Sequence, residues 1–145
     1  GREVFRSISL WVLMDLDTRN MILPGKSGIS LVGTLRGNEL TVPMGLPAKL
    51  LKNTRSRQVR FTDLDRNGHM NNCRYLDWIC DLIPSGYHKD HEIREFTVCY
   101  LSEAREGQQL ELRWDFPETG CLYMDAHRQD EDQQTRVFSA RLLFV

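Results

Sequence analysis

The chain carries one stretch, at residues 65–79, that decides both its fold and its chemistry: Asp65-Arg66-Asn67-Gly68-His69-Met70-Asn71-Asn72-Cys73-Arg74-Tyr75-Leu76-Asp77-Trp78-Ile79. The first half of this stretch places an acid, an amide and an imidazole at alternate positions, namely Asp65, Asn67 and His69. Alternate side chains of an extended segment point to the same face. We therefore expect these three groups to converge, provided that the backbone is extended there.

The second half of the stretch predicts a helix over residues 72–83. Asn71 or Asn72 is suited to cap it by accepting a bond from an N–H of the first turn, and Pro84 ends it. The other N–H groups and the positive end of the helix dipole then lie close to His69, where they can polarise a carbonyl oxygen. This arrangement indicates a hydrolytic site. A solvated loop with an incidental histidine is the simpler alternative, because Asp, Asn and Gly all favour turns.

The sequence around this stretch resembles the acyl-ACP thioesterase family, whose members carry two hot-dog modules in one chain. The segments that carry the resemblance are Thr62-Asp63-Leu64-Asp65-Arg66-Asn67-Gly68-His69-Met70-Asn71-Asn72 with Arg74-Tyr75-Leu76-Asp77-Trp78, Ser9-Leu10-Trp11-Val12-Leu13-Met14 with Asp17-Thr18-Arg19, and Tyr100-Leu101-Ser102-Glu103-Ala104. The segments from Thr62 to Trp78 are similar to the signature of the family's second module, and those from Ser9 to Arg19 to the last strand of its first module. The segment Tyr100–Ala104 is similar to the place where the family has a tyrosine, two further residues and then a glutamate. The resemblance implies an α+β hot-dog fold, in which an antiparallel sheet wraps a central helix.

The resemblance also implies the residues that carry the reaction, which are Asp65, Asn67, His69 and Glu103. Thioester hydrolysis needs a water made nucleophilic and a carbonyl oxygen stabilised as it becomes anionic. The hypothesis is that Glu103 and His69 position and deprotonate the water, and which of the two is the base stays open. Asn67 is expected to hold the water or the thioester carbonyl, and Asp65 is expected to orient its neighbours.

The chain departs from the family at Ala104, where many members have a cysteine. If the alignment holds, an acyl-cysteine cannot form at that position and water attack is the remaining route. Cys99 would be the nucleophile only under a shifted strand register, and an odd shift would place it on the opposite face of the sheet. The four cysteines form no C-x-x-C pair, and no second histidine stands at helical spacing from His69. We therefore expect no metal site and no cofactor.

The pattern along the chain predicts two parts. Residues 1–54 are expected to be the terminal strand of a first hot-dog module plus a linker, and residues 55–145 a hot-dog thioesterase module. In the first part, a strand is predicted over residues 4–14, and two short strand-like runs at 29–35 and 39–42 lie in a segment rich in glycine and proline.

In the second part, a strand predicted over residues 58–64 leads into the motif. Four more strands are predicted after the helix, over residues 93–101, 109–116, 121–128 and 135–145. Turn-forming residues at 117–120 and 130–133 separate the last three. The three tryptophans are expected in the core more readily than in an acyl pocket, and they are Trp11, Trp78 and Trp114.

Composition limits the classes of function. The 145 residues are 41% hydrophobic with a net charge of -1, which suits one domain with a core and disfavours nucleic acid or an anionic membrane as a partner. The sequence has no apolar run long enough to span a bilayer and no secretory signal pattern. Cysteines without disulfide-like spacing indicate a reducing compartment, so we expect the protein to be cytoplasmic.

These observations predict the hydrolysis of fatty acyl thioesters on acyl carrier protein. Two alternatives stay open: a single hot-dog acyl-CoA thioesterase, and a non-catalytic hot-dog protein that binds acyl chains. A homodimer or higher assembly is expected, because a lone hot-dog sheet leaves an apolar surface that the family covers with its partner module. A basic stretch either docks an acidic carrier protein or is a solvated linker; it comprises Lys49, Lys52, Arg55, Arg57 and Arg60.

Overall fold

The computed structural model describes residues 4, 6–18, 20–30 and 44–145. The chain forms two compact units, Gly1–Met44 and Gly45–Val145. The assignment of residues 1–54 to the end of a preceding module stays a prediction. Of the two short strand-like runs predicted in that part, most of 29–35 and all of 39–42 lie outside the described residues.

The first unit contains a small hairpin of β1 (Leu13–Met14) and β2 (Met21–Ile22), followed by a 3-10 turn at Pro24–Lys26. Asp15 closes the hairpin, because its Oδ1 accepts the amide and the hydroxyl of Thr18 at 2.7 and 2.8 Å. The long strand predicted over residues 4–14 is wrong: of the described residues in that range, only the two of β1 are paired, and a strand requires a partner segment.

The second unit is built on a five-stranded sheet in which every pairing is antiparallel. Its strands are β3 (Asn53–Gln58), β4 (Ile93–Tyr100), β5 (Gln109–Glu118), β6 (Cys121–Gln129) and β7 (Gln134–Phe144), in the spatial order β3-β5-β6-β7-β4. The four strands predicted after the helix are confirmed, with ends that shift by one or two residues.

The turn between β5 and β6 depends on a glycine. Gly120 has a φ of +71°, in the region that side chains rarely adopt, and a Cβ placed on it would lie 3.0 Å from the carbonyl oxygen of Phe144. Any other residue would therefore be both strained and crowded at this point.

The strand predicted over residues 58–64 is wrong, because β3 lies earlier and ends at Gln58. The chain then bends into a 3-10 turn at Phe61–Asp63, where Oδ2 of Asp63 accepts the amide of Arg60 at 2.9 Å. The apolar residues around position 59 predicted a strand there, but the residues that pair with β5 are the polar ones before them, Asn53–Gln58. As a result, Arg55 and Arg57 of the basic stretch belong to a strand and not to a linker.

Two helices follow, α1 (Asn72–Cys80) and α2 (Ser85–Asp90). The predicted helix over 72–83 begins where expected and ends three residues early, with Pro84 serving as the N-cap of α2. The sequence did not predict α2, which is held by Tyr87: its ring stacks on His91 at 3.9 Å and meets Phe144 edge-on at 5.2 Å. No helix within the described ranges is long and apolar enough to cross a membrane.

The core lies between α1 and one face of the sheet. Helix α1 buries Tyr75, Trp78 and Ile79. The facing strands supply apolar side chains at alternate positions, as one face of a sheet requires. They are Leu110, Leu112, Leu122, Met124, Ala126, Phe138, Ala140 and Leu142. An antiparallel sheet that packs around one helix is the α+β hot-dog fold, so the predicted fold class is confirmed.

The segment before β3 packs on the other face of the sheet. Nζ of Lys49 lies 3.7 Å from the centre of the Tyr123 ring, and Nη1 of Arg136 donates to the carbonyl of Leu46 at 3.1 Å. Leu51 is buried. These residues therefore belong structurally to the sheet unit.

Trp78 is the side chain on which the core depends most directly. It is fully buried, its Nε1 donates to Oδ1 of Asp63 at 3.3 Å, and the guanidinium of Arg57 covers its ring at 4.4 Å.

We expect Trp78→Ala to destabilise the protein by about 3–5 kcal/mol, through lost burial and the cavity that remains. Urea unfolding followed by circular dichroism measures this. The expectation that Trp11 lies in the core is wrong, since Trp11 is 81% exposed, and this makes it the matched control. Trp11→Ala should change the free energy of unfolding by less than about 0.5 kcal/mol. Equal effects of the two variants would contradict the assignment.

Candidate active site

The first half of the motif forms a tight turn. The amide of Gly68 donates to the carbonyl of Asp65 at 3.2 Å, and Gly68 has a φ of +74°. Oδ1 of Asp65 accepts the amides of Asn67 at 2.8 Å and of His69 at 3.3 Å. The extended backbone expected here is therefore wrong, because Asp and Gly favour the turn that their side chain and φ stabilise. Asp65 acts on its neighbours through their backbone amides.

The turn delivers His69 to the segment that follows β4. His69 forms an antiparallel bridge with Arg105, and the amide of Met70 donates to the carbonyl of Ala104 at 2.8 Å. Met70 and Ala104 are buried, so these backbone contacts lie at the edge of the core. They bring together two segments that are far apart in the sequence.

The side chain of Glu103 contacts the ring of His69. Its Oε2 is 3.1 Å from Nε2 of His69, the distance of a hydrogen bond from a ring N–H to a carboxylate. Nη2 of Arg105 lies 3.8 Å from the same oxygen. The side chain of His69 is 21% exposed and that of Glu103 is 43% exposed, so a substrate or a water has access to both. The structure thus joins two residues that only the resemblance connected.

The beginning of α1 lies next to this pair in the sequence. Asn71 is the N-cap, and its Oδ1 accepts the amide of Cys73 at 2.9 Å, while its carbonyl accepts the amide of Arg74 at 2.8 Å. The cap therefore occupies two of the first amides of the helix. These two bonds do not use the amide of Asn72, the first residue of the helix.

Two tyrosines border the site; the sequence analysis named them only as parts of the family signature and not as site residues. The hydroxyl of Tyr100 donates to the carbonyl of Asn72 at 3.1 Å, and its ring lies 5.5 Å from that of Tyr75. Burial, reinforced by the nearby Tyr100 and Glu103, raises the pKa of Tyr75 to about 12. The Tyr75 hydroxyl therefore stays protonated at neutral pH. Only the tertiary contacts place these residues beside the site, since an aromatic residue in a helix or strand carries no local signal of function.

The remaining predicted residues take different places. The side chain of Asn67 is exposed in the turn, and the residue joins the site through its backbone bond to Asp65. Ala104 is fully buried, and Cys99 lies within β4 opposite Ser139. In the described part of the chain, no group of three or more His, Cys, Asp or Glu side chains is arranged to hold a metal ion.

The family model described as the acyl-ACP thioesterase C-terminal domain matches residues 49–140 of this chain. A dodecanoyl-[acyl-carrier-protein] hydrolase of Cinnamomum camphora is 29% identical over 121 residues, which cover 77% of this chain and 31% of the relative. The chain spans about a third of that relative's length. The residues matched by the family model include the motif, helix α1 and Glu103.

Solved structures show the same fold. The 12:0-ACP thioesterase from Umbellularia californica superposes with a TM-score of 0.69 at 20% identity, covering 91% of this chain and 52% of that one. An acyl-ACP thioesterase from Bacteroides thetaiotaomicron superposes with a TM-score of 0.63 at 22% identity, covering 91% and 53%. Both likenesses support the hot-dog architecture.

The contacts of Asp65 predict how the turn depends on its carboxylate. We expect Asp65→Ala to expose the amides of Asn67 and His69, because the acceptor that both use is removed. Hydrogen exchange at these two amides should accelerate by about 10-fold or more, the scale of losing a bond worth about 1.4 kcal/mol. Asp65→Asn keeps an oxygen in the same place and is the matched control. Slow exchange in Asp65→Ala would show that the turn does not need this side chain.

Proposed function

This chain belongs to the family of the acyl-ACP thioesterase C-terminal domain, and we propose on that basis that it hydrolyses fatty acyl thioesters on acyl carrier protein to release the free fatty acid. The observation that carries the proposal is the pair of His69 and Glu103, with Nε2 and Oε2 3.1 Å apart and both side chains accessible. An imidazole and a carboxylate in contact are the groups that activate a water. The relative from Cinnamomum camphora, named a dodecanoyl-[acyl-carrier-protein] hydrolase, supports the choice of carrier.

The reaction that we propose proceeds by direct attack of water. Glu103 and His69 together take a proton from the water as its oxygen bonds to the thioester carbonyl carbon. The carbonyl oxygen becomes anionic, and the amide of Asn72 at the start of α1 is suited to stabilise it. The carbon–sulfur bond then breaks, and the proton returns to the sulfur of the carrier thiol. The products are a fatty acid and the free carrier.

Two features of the structure support water over a cysteine nucleophile. Ala104, next to Glu103, has no nucleophilic group and is fully buried. Cys99 lies inside β4, whereas Glu103 lies beyond the end of that strand. Two other cysteines, Cys80 and Cys121, are disfavoured as nucleophiles because burial raises the pKa of their own thiols. A raised pKa keeps a thiol protonated and poorly nucleophilic.

We also propose a reducing compartment, the cytoplasm, for this chain. Cys73, Cys80, Cys99 and Cys121 form no disulfide in the structure. Thiols that stay reduced are usual in such a compartment. Fractionation of the native protein from its source, with detection by antibody, tests the location.

The proposal is tested with paired substrates that carry the same acyl chain on acyl carrier protein and on coenzyme A. We expect higher kcat/KM with the carrier protein. Glu103→Gln removes the charge that takes a proton, and His69→Ala removes the imidazole, so each should lower kcat by about 10²-fold or more. Asn67→Ala tests the role expected for its amide from the resemblance: a similar fall in kcat would support it as holding the water or the carbonyl, and unchanged kcat would remove it from the mechanism.

Cys99→Ser is the matched control for these variants, and its activity should equal that of the unmodified chain. A higher kcat/KM with the coenzyme A substrate would contradict acyl carrier protein as the carrier and support an acyl-CoA thioesterase instead. Binding of acyl chains without turnover would indicate a non-catalytic protein. An active Glu103→Gln together with an inactive Cys99→Ser would return a cysteine nucleophile to consideration.

We propose that the chain assembles as a homodimer or higher oligomer through strand β4. This strand is at one edge of the sheet, and Phe96 and Tyr100 on it are 47% and 45% exposed. An exposed edge with apolar side chains tends to pair with another copy. Sedimentation should therefore give a mass above one chain at micromolar concentration, and Phe96→Glu should lower it to one chain. A single-chain mass of the unmodified protein across a dilution series would contradict this proposal.

A further inference from the structure

The backbone of Glu103 is held by a side chain from another strand. Nη1 of Arg128, near the end of β6, donates to the carbonyl oxygen of Glu103 at 2.5 Å. The other nitrogens of the same guanidinium bond Asp130, Nε at 2.6 Å and Nη2 at 3.1 Å. A bidentate pair of this kind fixes the plane of the guanidinium. The third donor is thereby aimed at Glu103.

Asp130 is itself fixed. The hydroxyl of Thr135 donates to its Oδ2 at 2.5 Å, and its own amide donates to the carbonyl of Gln133 at 2.9 Å, which closes the turn between β6 and β7. Hydrogen bonds from Arg128 and then from Thr135 lower the pKa of the Asp130 carboxyl. The carboxylate is therefore ionised at neutral pH, and a chain of contacts runs from this turn to the Glu103 backbone.

Glu103 needs such support because it lies beyond the end of β4. The amides of Leu101 and Ser102 donate to the carbonyl of Val137 on one side of it, and the carbonyl of Ala104 accepts the amide of Met70 on the other. The peptide between these two anchors is held at the Glu103 carbonyl by Arg128. Rotation of this peptide would turn the carboxylate away from His69.

We propose that Arg128 is a positioning residue that acts through Glu103. It keeps the Glu103 carboxylate at hydrogen-bond distance from Nε2 of His69 and does not itself contact the reacting thioester. The side chain of Arg128 is only 18% exposed, in keeping with a role inside the structure. This inference rests on the proposed hydrolysis, since it concerns the same pair of residues.

The kinetic test compares Arg128→Met with the unmodified chain on an acyl-ACP substrate. Methionine keeps much of the apolar stem and removes the donors. We expect kcat to fall by about 10- to 100-fold, the scale of misplacing a reacting group by about 1 Å, with KM changing by less than about two-fold. Arg128→Lys should restore part of kcat, because an ammonium group can bond the carbonyl or Asp130 as a point charge but cannot form the fork.

Arg113→Met is the matched control. Arg113 also pairs with a carboxylate, that of Glu111, and its Nη2 donates to Oε1 of Gln134 at 3.0 Å, but it makes no bond to Glu103 in the described structure. Its replacement should leave kcat unchanged. If Arg128→Met does not fold, Arg128→Lys provides the same comparison with a smaller fall in kcat.

The ring ¹⁵N signals of His69, measured by NMR without substrate, report the position of the pair independently of turnover. We expect Arg128→Met to shift them and Arg113→Met to leave them in place. Failure of the unmodified chain to hydrolyse either substrate would overturn the proposed function, while the ring signals would still decide whether Arg128 positions Glu103. An unshifted signal overturns the inference, and so does a shifted signal with unchanged kcat or a fall in kcat shared by Arg113→Met.

Discussion

The site depends on one backbone hydrogen bond, from the amide of Met70 to the carbonyl of Ala104 at 2.8 Å. Each partner is next in sequence to one member of the proposed acid–base pair, so this bond holds the backbones of His69 and Glu103 close together. Both partners are buried, and an unpaired buried amide or carbonyl is costly, which makes the contact hard to break. The pair proposed to activate water lies on two loops, and this bond holds the two loops together as a backbone bond holds two strands of a sheet.

Asp63 connects this bond to the core. Its carboxylate accepts from Nε1 of Trp78 and from the amide of Arg60, and its carbonyl accepts the amide of Asn71 at 2.8 Å. The 3-10 turn, the start of α1 and the packed face of the helix therefore meet at one buried residue. Because the amide of the N-cap residue Asn71 bonds to Asp63, the start of α1, which follows the His69 turn in the sequence, is anchored in the core.

The sequence predicted most of the fold, and its failures have a common cause. The helix and the strands after it carry strong apolar patterns and turn residues, which local rules capture. Strand β3 and helix α2 are polar or contain glycine, and they form because β5 and the aromatic cluster around Tyr87 hold them. Likewise, the motif was expected to be extended, whereas the local chemistry of Asp65 and Gly68 favours a turn. The conformation of such segments depends on their tertiary contacts, and a single sequence does not show those contacts.

The pairing of His69 with Glu103 shows the same limit within the site. The spacing of the motif pointed to Asp65, Asn67 and His69, but nothing local marks Glu103, and only the family resemblance connected it to them. Neither the spacing of the motif nor the family resemblance pointed to Arg128, because a charged residue near the end of a strand is usually solvated. Its importance follows from where its third donor points once Asp130 has fixed its plane. A carboxylate on a loop has several accessible directions, and each anchor of its backbone removes some of them. The position of the Glu103 carboxylate relative to His69 therefore depends on the turn between β6 and β7 as well as on the motif itself.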